Sequence, residues 1–179
     1  MQALQTLVQD GTLTGEWVLD PGRSSIRLKT RALGLPVKGV FSEIGGYGTV
    51  SADGQVSGTI AVTVASIDTR NSKRDTHLRS AEIFDSGNHP HITFTVDGIR
   101  PSGQGVAVTG TLTVRDRTLP LSFDAAASMP GNEEIWLDAQ ARVSRADFGL
   151  GWKGASTASK TNTLTIHTVF TRRQAFTRQ

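Results

Sequence analysis

Val106-Ala107-Val108-Thr109-Gly110-Thr111-Leu112-Thr113-Val114-Arg115 is the stretch whose reading decides the fold. Around Gly110 its even positions are Val106, Val108, Leu112 and Val114; its odd positions are Ala107, three threonines and Arg115. A period of two sends alternate side chains to opposite faces of an extended strand, whereas a helix would need apolar residues three and four apart. The stretch therefore reads as a strand with one dry face and one wet face.

Working outward, the same alternation recurs. Ile26 and Leu28 alternate with Arg27 and Lys29, and Val56, Ile60, Val62 and Val64 alternate with Ser57, Thr59 and Thr63. Ile92, Phe94 and Val96 follow the same rule, as do Leu119, Leu121, Phe123 and Ala125. Near the end come Ile135, Leu137, Ala139, Ala141 and Val143, then Leu164, Ile166 and Thr168. With Val37 to Val50 read as one further strand, the chain carries about eight. Turn signals at Asp53-Gly54, Asp97-Gly98 and Pro130-Gly131-Asn132 divide them, and Asp116-Arg117 reads as a tight connection without glycine. Sequential hairpins make a meander, which protects its edges by closing into a barrel or folding into a sandwich; periodicity leaves both open.

Arg70 to Asp85 breaks the alternation. Ser72 with Asp75 three residues on resembles a capping box, which predicts a short helix with Leu78, Ile83 and Phe84 turned toward the body of the protein. Such a helix plugs one end of the barrel or borders a ligand mouth.

Composition narrows the function. The 179 residues suit a single domain, and 37% apolar residues, 20% charged residues and 19 glycines suit a turn-rich β protein. Nineteen basic residues against 16 acidic ones leave a net charge of +3 with the signs mixed, and one Tyr and seven Phe form no aromatic-basic stripe, so nucleic acid is not expected as a partner. Arg172, Arg173 and Arg178 read as a solvated, frayed tail. With no cysteine, disulfides and thiolate metal sites are excluded. Met1 to Gly15 lacks basic residues and a long apolar run, so no export signal is read there and the expected location is cytoplasmic. No stretch approaches the ~20 apolar residues of a membrane-spanning helix, so no transmembrane segment is expected.

No catalytic constellation is assembled by the sequence. His77, His89, His91 and His167 show no metal-ligand spacing, no Gly-x-Ser-x-Gly elbow occurs, and Gly45, Gly46 and Gly48 lie in a strand or bulge instead of a phosphate loop. Glu133-Glu134 reads as a solvated loop beside a turn. What remains is the interior. An eight-stranded barrel either fills with side chains or holds one small ligand, and inward Ala125, Ala139 and Ala141 leave room among the Val, Ile and Leu residues. A solid barrel would act as a protein-interaction module, a hollow one would take an apolar ligand, and an uncharacterised enzyme would use Asp75 and His77.

A family resemblance covers roughly residues 16 to 172. Its motifs begin with Trp17-Val18-Leu19-Asp20-Pro21, Ser24-Ser25-Ile26, and Gly39-Val40-Phe41 with Gly46. The most specific run is Ala65-Ser66-Ile67-Asp68-Thr69 through Arg74-Asp75-Thr76-His77-Leu78-Arg79-Ser80-Ala81-Glu82-Ile83-Phe84-Asp85, continuing into Pro90-His91-Ile92-Thr93-Phe94. Val108 to Arg115 and Ser144-Arg145-Ala146-Asp147-Phe148-Gly149 complete it. On these motifs the chain resembles the YceI-like family of polyisoprenoid-binding proteins.

The resemblance implies an all-β fold: an extended, eight-stranded, antiparallel up-and-down barrel of lipocalin type with a short capping helix. It also implies a homodimer and a long isoprenoid or quinone-like lipid threaded through the lumen, carried without catalysis and without a further cofactor or metal. Residues 15–173 would form this barrel domain, after an N-terminal extension over 1–14 and before a tail over 174–179. The lining residues it implies are Ile26, Phe41, Ile60, Val62, Val64, Ile67, Leu78, Phe84, Ile92, Phe94, Leu112, Val114, Phe123 and Phe148, with Trp152 at the mouth. Asp75 and Arg79, one helical turn apart, are expected to form an ion pair that fixes the cap.

Overall fold

The computed structural model describes residues 4–150 and 160–174. Among these the strands are β1 (Gly15–Leu19), β2 (Ser25–Ala32), β3 (Leu35–Phe41), β4 (Ile44–Val50), β5 (Val56–Thr63), β6 (Ile67–Asp68), β7 (His91–Ser102), β8 (Gly105–Val114), β9 (Arg117–Gly131), β10 (Glu134–Ser144) and β11 (Thr161–Arg172). Two helices, α1 (Leu4–Gln9) and α2 (Ser72–Arg79), accompany them.

The decisive alternation holds throughout β8, whose even positions from Val106 to Val114 are buried. Every pairing in the sheet is antiparallel and follows the meander from β7 to β11. β1 and β2 are two halves of one stave, interrupted by a 3-10 turn at Pro21–Arg23; β3 and β4 are two halves of the next, so Val37 to Val50 is not one unbroken strand. Counted this way there are eight staves. β11 pairs with β10 on one side and with both β1 and β2 on the other, which closes the sheet into a barrel and decides against a sandwich.

Local chemistry departs from the sequence reading at several points. Asp97-Gly98 is no turn: both residues lie inside β7, where the register with β8 shifts between Val96 and Gly98. A β-bulge uses the same residue types as a turn, which is why the two look alike in sequence. The run from Val56 stops at Thr63, and Val64–Ser66 forms a 3-10 turn. Asn71, not Ser72, caps α2, its side chain accepting from the Arg74 amide at 3.0 Å. Asp75 and Arg79 do not pair. The buried Asp75 carboxylate accepts from the Thr69 amide at 2.9 Å and the Thr69 hydroxyl at 2.5 Å, while the Arg79 guanidinium donates to the Ile67 carbonyl at 3.2 Å. A helix-surface spacing rule misleads here because Asp75 faces inward, toward a backbone amide that needs an acceptor.

The basic cluster at the end of β11 is likewise structural in two of its three members. The Arg172 guanidinium lies 4.4 Å from the Trp17 ring centroid and donates to the carbonyls of Thr12 at 2.6 Å and Thr14 at 2.9 Å. Arg173 pairs with Glu16 at 3.3 Å, and Arg178 lies outside the described residues. Glu134 is not a free loop carboxylate either. It accepts from Arg23 at 2.7 Å and from the Trp136 indole at 2.9 Å, and Arg23 reaches back to Asp20 at 2.8 Å.

These bonds join the β1–β2 break to the start of β10. The Arg23 guanidinium holds the carboxyls of Asp20 and Glu134 below their ordinary values of 3.8 and 4.5. Because both folded-state values are depressed, their contribution is fully present above the ordinary values and is lost as pH falls below these through the folded-state values. Arg23→Ala is therefore expected to lower the denaturation midpoint slightly at pH 7, with the gap to wild type narrowing as pH falls below the ordinary carboxylate range. A gap that does not change with pH would remove the electrostatic account.

Candidate functional site

The barrel interior holds a cavity of about 420 Å³ that runs along the lumen. This is within the range of about 300–1,000 Å³ typical of small-ligand sites. Its wall is almost wholly apolar. Residues of one alternating register of the long strands face it: Val106, Val108, Leu112 and Val114 from β8, Leu121, Phe123 and Ala125 from β9, Leu137, Ala139 and Val143 from β10, and Leu164, Ile166 and Phe170 from β11.

One observation marks the interior as hollow. Ile60, Val96, Leu121, Phe123, Leu137 and Ala139 face inward yet are only half-buried, so the surface they retain is cavity wall. The paired positions Trp17, Gly48, Gly58, Val96, Gly110 and Leu121 form one row across six strands. Its glycines answer to close strand approach, since a Cβ at Gly58 would meet the Tyr47 carbonyl oxygen at 2.5 Å.

Of the expected lining residues, Ile26, Phe41, Ile60, Val62, Phe84, Ile92, Phe94, Leu112, Val114, Phe123 and Phe148 all stand on the cavity wall. Phe94 and Phe123 pack with ring centroids 5.5 Å apart at 43°. Val64, Ile67 and Leu78 are elsewhere. Ile67, fully buried, packs with Leu19, Phe41, Ile44 and Val62, and Leu78 of α2 leans on the same cluster. Val64 is buried in the 3-10 turn and does not reach the wall. The barrel is solid beneath α2 because β5 turns off there and β6 folds back onto β3. Trp152 lies outside the described residues.

The opposite end holds a feature missed by a reading based on strands. α1 brings Val8 and Gln9 to the cavity, and Leu13 and Trp17 beside them are each 2% exposed. The indole of Trp17 donates to the Leu13 carbonyl at 3.0 Å. The spacing of Leu4, Leu7 and Val8 at three and four residues was the available signal.

Polar groups on the wall are few. Thr168 is buried on it, Gln9 and Arg100 border it, and Arg145 and Asn162 stand at the Phe148 end, where the Asn162 Oδ1 is buried without a hydrogen-bond partner among the described residues. The residues that an enzyme reading would use are not brought together. Asp75 is engaged with Thr69, His77 contacts Glu82 at 2.9 Å on the surface, and neither borders the cavity.

Comparison with known proteins agrees with this architecture. Residues 17–170 match the family model for the YceI-like domain. A UPF0312 protein of Vibrio campbellii is 30% identical over 159 residues, covering 82% of this chain and 83% of that one. Protein YceI of Escherichia coli O17:K52:H18 is 28% identical over 119 residues, 63% of this chain and 62% of that one, so this match spans less than two thirds of the relative. Among solved structures, Burkholderia cenocepacia BcnA superposes with a TM-score of 0.77 at 20% identity, covering 84% of this chain and 98% of that one. A polyisoprenoid binding domain from Saccharophagus degradans gives 0.73 at 15% identity, covering 88% and 98%. The apolar barrel and the match across nearly its whole length lead to one assignment: this chain belongs to the YceI-like family.

Proposed function

We propose that this protein binds a long apolar lipid of isoprenoid type in the barrel lumen and carries it without altering it chemically. The observation that carries the reading is the 420 Å³ apolar cavity, whose wall offers hydrophobic contact along its length and almost no directional bonding. Burial of ~0.8 kcal/mol per methylene gives affinity to a hydrocarbon chain without polar contacts. The Asn162 Oδ1, unpartnered among the described residues, supplies an acceptor for a hydroxyl at one end of the ligand. Support also comes from the solved structure of similar fold that is a polyisoprenoid binding domain. The proposal extends to a homodimer as the carrying species.

Native mass spectrometry of the purified protein, followed by solvent extraction, tests this reading. The expected result is a dimer mass carrying an extractable hydrocarbon-rich molecule. Protein that stays ligand-free after incubation with polyprenol, and whose lumen fails to take up an apolar dye, would remove the carrier role.

A further inference from the structure

The β2–β3 hairpin carries a feature that neither folding nor the lumen explains. Among the described residues Thr30–Ala32 pair only with β3, and Leu35–Gly39 only with β2, so the hairpin extends past these pairings as a two-stranded ribbon. At its tip Leu33 has φ +53° and is 75% exposed, followed by Gly34 at φ +75° and Leu35 at 68% exposed.

Two successive positive φ values define a turn that favours Asn-Gly or Asp-Gly. Leucine there is strained by its Cβ, and in water it gains nothing from burial. An exposed apolar residue held in a costly backbone conformation points to contact with an apolar phase. Ala32, Leu35, Thr30 and Val37 share the inner face of the ribbon, in line with Leu28, Ile26 and Phe41 on the cavity wall.

The outer face is basic. Arg27, Lys29, Arg31 and Lys38 are all exposed, Lys29 stands opposite Lys38, and residues 21–42 contain no Asp or Glu. None of the four makes an ion pair among the described residues. Facing lysines repel and do not stabilise a ribbon, so this charge is arranged for something outside the chain.

We propose that the β2–β3 ribbon docks on an anionic lipid bilayer, with Leu33 and Leu35 entering the acyl boundary and the outer cations resting on the headgroups. An apolar tip beside clustered lysine and arginine is the combination that gives interfacial binding. A second copy of the chain fits less well. Edge-to-edge pairing through β3 would set Lys38 near the Lys38 of the other copy, where like charges oppose association.

The test is flotation of the full chain with vesicles of phosphatidylcholine, alone or mixed with phosphatidylglycerol. Binding is expected to the mixed vesicles only and to weaken as salt rises. Lys29→Gln with Lys38→Gln should weaken it about fivefold per charge removed. Leu33→Asn with Leu35→Ser should weaken it about tenfold or more. Leu33→Asn alone should keep or raise the melting temperature, since Asn tolerates the left-handed conformation. Tyr47→Ser, at another exposed site, should leave flotation unchanged. The proposal is overturned if wild type does not float, if it floats equally with neutral vesicles, or if Leu33→Asn unfolds the barrel. It is overturned equally if the tip variants only convert a dimer to a monomer, which would make the ribbon an interface between copies. Docking stands apart from the lumen reading: a variant with a blocked lumen should still float.

Discussion

Ala139→Trp is expected to reduce the lipid retained by the purified protein at least tenfold while the barrel stays folded. Ala139 lies on β10 between Ala125 of β9 and Ile166 of β11, so two small side chains stand next to each other on the wall. It faces the cavity and is only half-buried, so the position beyond its methyl group is open space. An indole there occupies the path of a hydrocarbon chain and contributes apolar burial of its own. Overpacking costs typically 1–3 kcal/mol in a filled core, and a hollow one relieves most of that. The measurements are native mass spectrometry for retained lipid and thermal unfolding for integrity. A folded variant that keeps its ligand would place the lipid outside the lumen, and a variant that fails to fold would show an interior already filled.

Gly110→Ala should have the opposite profile, with a large loss of stability whether or not ligand is present. A Cβ at Gly110 would lie 2.2 Å from the Thr95 carbonyl oxygen on the neighbouring strand and 2.7 Å from the Phe94 ring. The ring can shift. The carbonyl belongs to the β7–β8 ladder and cannot move without breaking strand pairing. We expect a loss of about 3 kcal/mol, the upper end for overpacking in a dense site. For a domain of this size that is roughly a 10 °C fall in melting temperature. Gly45→Ala is the control, because a Cβ there meets nothing within 4 Å. Equal melting temperatures for the two variants would show that the wall at Gly110 yields more easily than its geometry implies.

The strands were legible because each long stave has one face on the cavity and one on solvent, the condition under which alternation is unambiguous. Val106 to Val114 is the clearest example. Distinguishing a wall residue from a packed one was harder. Val62 and Ile67 are both buried aliphatics in the same cluster, yet only Val62 also borders the cavity. That difference is set by where β5 leaves the sheet, a tertiary event with no periodic signature. Polar partners were misjudged for a related reason. Asp75 and Arg172 satisfy backbone groups that only the folded chain brings to them, and spacing along the sequence carries no record of those groups.

The seam has a kinetic meaning. Trp17 lies opposite Arg172 across β1 and β11, so closing the cylinder joins segments at far ends of the sequence. The β7–β8 and β8–β9 hairpins need only neighbouring residues, and loop-closure entropy favours them first. Until residues 161–172 take their place as β11, β10 on one side and β1 and β2 on the other each lack a partner, so the apolar face of the sheet is enclosed only when this final strand is added.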